Sequence, residues 1–72
     1  MRIITKVKLQ ILYPTAEAIK KTGNRYDVYA PKGTEFVVIE TREEDDGDTA
    51  YLVRSRGFGD TWARARYIDL VE

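Results

Sequence analysis

The sequence contains no cysteine and no histidine. Without cysteine there is no disulfide framework, no thiolate nucleophile and no cysteine zinc site; without histidine the commonest metal ligand and neutral-pH proton shuttle is missing. Excess charge is missing too. Twelve basic side chains cancel twelve acidic ones, so the chain has neither the polycationic field of a dedicated nucleic-acid binder nor an acidic tail. Long apolar runs are absent: Arg2, Lys6 and Lys8 break residues 1–12, which leaves no apolar centre for a signal peptide or a membrane span. A cytoplasmic protein without membrane contact is expected. No internal repeat and no linker-like stretch is present.

What is present fits one domain over residues 1–72, near the lower size at which a hydrophobic core holds a chain together unaided. The hydrophobic fraction of 43% against 33% charged is too apolar for a disordered chain, so it folds by itself. Residues 3–12 alternate, with Ile3, Thr5, Val7, Leu9 and Ile11 on one side, the period of a half-buried strand. Tyr13-Pro14 ends it. Residues 15–27 read as a long structured loop, because the helix-permissive run 16–21 is too short to stand without tertiary support. A brief returning strand at 28–30 precedes the turn Pro31-Lys32-Gly33.

Residues 35–42 are rich in β-branched and aromatic side chains and form a strand. Phe36 and Val38 share one face, Val37 and Ile39 the other; the loop after the first strand is expected to fold over Val37 and Ile39, unless a partner covers them. The Asp- and Gly-rich stretch 43–48 makes a hairpin connection. Extended structure resumes over 49–56 with Tyr51 and Val53 on one side. A tight connection at 57–60, a strand at 61–63, a helical turn at 64–66 and a final strand at 67–71 complete the chain. Five to six short strands without a long helix make an all-β protein, most economically a small closed or nearly closed barrel.

This succession resembles a Src-homology-3-like barrel, with a short helical turn before the last strand. Ile11-Leu12-Tyr13 is similar to the family's Ala-Leu-Tyr opening, Lys32-Gly33-Thr34 to the turn before its second strand, and Tyr67-Ile68-Asp69-Leu70-Val71 to its ending. Gly59 through Trp62 to Tyr67-Ile68 is closer still to bacterial versions. The resemblance implies the barrel fold and, more weakly, a binding role. Relatives that bind proline-rich peptides carry further aromatic, acidic and proline positions where this chain has Thr15, Lys20, Lys21, Thr49, Ala50 and Arg64. Only Tyr13 and Tyr67 remain of that groove, so proline-rich recognition is not expected.

Two charged groups stand out. Glu43, Glu44, Asp45, Asp46 and Asp48 form the densest acidic run, with spacing unlike a calcium loop; it reads as a solvated hairpin tip, or an acidic contact for a basic partner. Arg54, Arg56, Arg64 and Arg66 would converge near Phe58, Trp62 and Tyr67 if the strands pair as in the barrel, an arrangement suited to single-stranded nucleic acid. The plainer reading makes these arginines soluble surface, and Trp62 and Tyr67 core. No nucleophile-and-base arrangement, phosphate-cradling glycine motif, cofactor site or metal site is evident. The leading expectation is a non-catalytic protein-interaction module acting alone as an adaptor, inhibitor or regulatory factor, of bacterial or phage type. Its contact surface is placed at Tyr13, Tyr26, Phe58, Arg64 and Tyr67, with Glu43, Glu44, Asp45 and Asp46 as a second contact. A nucleic-acid-binding barrel using the four arginines and a cell-wall-binding domain are the alternatives. A protein partner and a monomeric or small homo-oligomeric state are expected.

Overall fold

The structure is a computed structural model, and it describes residues 1–71. In chain order it contains β1 (Arg2–Thr5), β2 (Leu9–Gln10), β3 (Tyr13–Pro14), α1 (Ala16–Thr22), a 3-10 turn (Arg25–Asp27), β4 (Tyr29–Ala30), β5 (Glu35–Glu43), β6 (Thr49–Ser55), β7 (Gly59–Arg64), a second 3-10 turn (Ala65–Tyr67) and β8 (Ile68–Leu70). Six strands form one antiparallel sheet in the order β3-β7-β6-β5-β1-β8, and β2 pairs with β4 separately. The all-β reading holds. The hydrogen-bonded order does not close, because β3 and β8 end the sheet without pairing to each other.

The first strand is shorter than its alternation implies. Ile3, Thr5 and Ile11 are buried while Val7 is exposed, because the chain leaves the sheet after Thr5 and re-pairs further on with β4. The Thr5 hydroxyl fixes the departure: it donates to the Pro31 carbonyl at 3.2 Å and accepts from the Thr34 N–H at 3.1 Å. Thr5 therefore ties the end of β1 to the turn that launches β5, adding a second partner to main-chain groups that Pro31 and Thr34 already pair within that turn. Thr61 does the same on β7, donating to the Gln10 carbonyl at 2.8 Å and accepting from the Leu12 N–H at 3.3 Å.

The segment expected to be an irregular loop is helical over Ala16–Thr22. Thr15 is the N-cap, its hydroxyl accepting from the Ala18 N–H at 3.1 Å, a contribution of about 1 kcal/mol. Gly23 ends the helix at φ 79°, its N–H donating to the Ile19 carbonyl, the left-handed stop that glycine adopts without strain. Seven residues are too few for an isolated helix. Tertiary support comes from buried Ala18 and from Ile19, which packs against the core of Ile3, Ile11, Val28, Ala30, Phe36, Val53, Ala63 and Ile68.

Because α1 packs on the core face, it does not cover Val37 and Ile39, which stay 51% and 44% exposed. A register shift between Val38 and Glu40 leaves Ile39 without a paired residue on β6. Val53 is buried and Tyr51 packs against the core, on the shared side expected. The helical turn falls one residue later than expected, at Ala65–Tyr67, so Tyr67 precedes the last strand and is 41% exposed rather than core. Gly59 and Asp60 belong to β7, and the tight connection narrows to residues 56–58. No helix among the described residues is long and apolar enough to cross a membrane.

Candidate functional site

The acidic run does not present a bare negative tip. Glu43 pairs with Thr49 and Arg42 with Ala50, while Ala50 also pairs with Arg64, so the end of β7 lies beside the hairpin connection. Gly47 at φ 84° closes the turn, and the Asp46 carboxylate accepts from the Asp48 N–H at 3.0 Å, an Asx turn. Arg64 donates to both oxygens of Asp46 at 3.0 and 3.2 Å. Arg66 reaches Asp48 at 3.2 Å and Asp46 at 3.7 Å, and Arg42 reaches Glu44 at 3.0 Å. Arg42 also lies over the Trp62 ring, 4.4 Å from its centre, a cation–π contact.

Three guanidiniums thus meet three carboxylates, Glu44, Asp46 and Asp48. The hairpin tip and two of the four arginines, Arg64 and Arg66, thus partly neutralise each other. The Asp48 N–H, the Arg64 hydrogen bond and the charges of Arg64 and Arg66 hold the Asp46 carboxyl below the ordinary 3.8. Its hydrogen bond with Asp46 raises the Arg64 guanidinium in turn. A carboxyl with a lowered folded-state pKa contributes stability above its unfolded value, and that contribution disappears as pH falls through the folded value. Carboxyl-detected NMR titration should therefore show Asp46 ionising below 3.8, with the amides around Gly47 shifting as the ion pairs open; a midpoint at or above 3.8 contradicts the network.

The four arginines do not converge. Arg54 sits four positions along β6 from Ala50, opposite Asp60, and its Nε and Nη2 clasp both Asp60 oxygens at 2.9 and 3.0 Å. That bidentate bond raises the Arg54 guanidinium. Arg56 lies in the β6–β7 turn and has no ion pair among the described residues. Trp62 is partly buried beneath Arg42 rather than lying in the core. Tyr13, on β3 opposite Asp60, and Tyr67, with Arg66 5.9 Å above its ring, are exposed.

The concave feature lies elsewhere. A groove of about 360 Å³ opens between α1, the first 3-10 turn, β4 and the β6–β7 turn, at the small end of the range of about 300–1,000 Å³ for ligand sites. Buried Ala18 and Val28, with half-buried Phe58, form its apolar lining; Lys8, Lys21, Asp27 and Tyr29 add the charged and aromatic part. The Lys8 ammonium rests 4.7 Å from the centre of the Tyr29 ring. Of the side chains expected to meet a partner, Phe58 lines this groove. Tyr26, 69% exposed, immediately precedes Asp27 and stacks under Arg25. Tyr13, Arg64 and Tyr67 are not among the lining residues.

Reading the strand pattern misses Lys8, Ala18, Lys21 and Tyr29, because the groove exists only once residues 16–22 are helical. The signal was Thr15 and Gly23, a cap at each end of the run. Among the described residues no group of three or more acidic side chains is placed to hold a metal ion. No protein-family model, curated protein or solved structure matches the chain.

Proposed function

We propose that the chain is a non-catalytic protein-interaction module, a Src-homology-3-like domain that acts as an adaptor, inhibitor or regulatory factor by receiving a polypeptide segment. The succession of first strand, long connection, central hairpin, tight turn, 3-10 turn and final strand supports the family resemblance. The observation that carries the functional reading is the groove beside α1: its mouth opens to solvent between half-buried Phe58 and exposed Tyr29, over a floor of buried Ala18 and Val28. An apolar seat with aromatic neighbours is how a protein surface receives an anchoring side chain. The alternative nucleic-acid surface loses support, since Arg54, Arg64 and Arg66 already face carboxylates.

Gly57 supplies the test. It lines the groove, and a Cβ added there meets nothing within 4 Å, so Gly57→Leu starts its side chain in open space at the groove. A partner captured by the native chain should bind this variant at least tenfold more weakly while the denaturation midpoint stays unchanged. Tyr13→Ala and Tyr67→Ala should retain it. Full binding by Gly57→Leu, with loss in the two tyrosine variants, would move the site to the exposed aromatics and overturn the groove.

A further inference from the structure

We infer that the segment received by the groove is acidic, an apolar anchor residue flanked by carboxylates; this rests on the interaction-module reading above. The fold answers some of its charges and leaves others without a partner of opposite sign among the described residues. Residues 8–34 carry five basic side chains, Lys8, Lys20, Lys21, Arg25 and Lys32, against two acidic ones, Glu17 and Asp27. The rest of the neutral chain is correspondingly acidic, so the helix-bearing connection is a positive lobe on a negative sheet.

Pairing sharpens this asymmetry. Outside that connection, Arg2, Lys6, Arg42, Arg54, Arg64 and Arg66 each meet a carboxylate. Lys8 and Lys21 have no acidic side chain within ion-pair distance among the described residues, and both line the groove. Asp27 shares the groove and offsets one of them, which leaves the rim with one net positive charge. Arg56, without an ion pair among the described residues, adds a further cation next to Gly57. Tyr29 holds the Lys8 ammonium in place by ring contact, so less freedom is lost when an anion arrives.

The apolar lining and the charged rim make separate demands. Ala18, Val28 and Phe58 favour an aliphatic or aromatic side chain, and the lysines favour negative charge on either side of it. A free inorganic anion answers only the second demand. A nucleic-acid strand offers stacking bases and phosphate, but the groove provides a single apolar seat and a rim with one net positive charge, which matches a short acidic segment rather than an extended polyanion.

Selection from a random dodecapeptide display library tests this, with amide-shift mapping of the selected peptides on the labelled full chain. The expected result is enrichment of peptides with net charge of about −2 or lower around one apolar residue, shifting Ala18, Val28, Gly57 and Phe58. Lys8→Gln combined with Lys21→Gln, both surface changes, should weaken binding about five- to tenfold, and salt should weaken the native complex in the same direction. Neutral or basic peptides mapping to the groove would overturn the acidic assignment while leaving the interaction module standing. Enriched peptides that all map elsewhere, no enrichment at all, or tighter groove binding by oligothymidylate would overturn both.

Discussion

Gly59→Ala should cost about 3–5 kcal/mol of folding stability, combining backbone strain with overpacking. Gly59 sits at φ 124°, and an added Cβ would press on the Tyr13 carbonyl oxygen, 2.8 Å from the Pro14 Cα and 2.9 Å from the Thr15 nitrogen. All three atoms are main chain, so no side chain can swing aside. They belong to β3 and to the helix N-cap, so the strain falls where β3 joins β7 and where α1 begins. A domain of this size has a total stability of roughly 4–11 kcal/mol at the usual value per residue. The substitution would then remove a large share of that total, visible as a large fall in the urea midpoint. Gly47→Ala is the control, with φ 84° but open space around the added carbon, and should lose only about 1–2 kcal/mol. Equal losses at the two positions would show that the close approach of β3 is unimportant.

Thr61→Val should cost about 2–3 kcal/mol, because it keeps the side-chain shape and removes both hydrogen bonds at once. The side chain is 1% exposed; its hydroxyl joins β7 to Gln10 and Leu12, about fifty positions away in the chain. The valine methyl offers nothing to the Gln10 carbonyl or the Leu12 N–H, and both lose their partner. Thr61→Ser keeps the hydroxyl and gives up one methyl group, about 1 kcal/mol. The order of midpoints should be native, serine, valine. A valine variant as stable as the native chain would mean that water replaces the hydroxyl.

Strands were the legible part of the sequence, since alternation at Ile3 and Thr5 and the β-branched run around Val38 report local geometry directly. The break after Thr5 was not legible, because it depends on hydrogen bonds to Pro31 and Thr34, residues far along the chain. The helix was half legible: its caps were present in Thr15 and Gly23, but its stability comes from Ala18 and Ile19 meeting a core that only the assembled sheet creates. The same dependence hid the groove. Charge was read correctly residue by residue and wrongly as a pattern, since the acidic run and Arg64 are distant in sequence and neighbours through the β6–β7 register. A sequence reports how much charge each segment carries; strand register decides which charges cancel.

The two ends of the sheet bear on how the chain behaves when crowded. A terminal strand with free main-chain donors and acceptors invites another molecule to add itself and continue the ladder. Here one end is β3, two residues long and including Pro14, which has no N–H to offer. The other end is β8, three residues long with the charged Asp69 at its centre. Neither end supplies a long, uncharged template. Val37 is exposed on β5 at a point flanked by Arg2 of β1 and Arg54 of β6, so its apolar surface can touch another molecule without drawing it into a growing sheet.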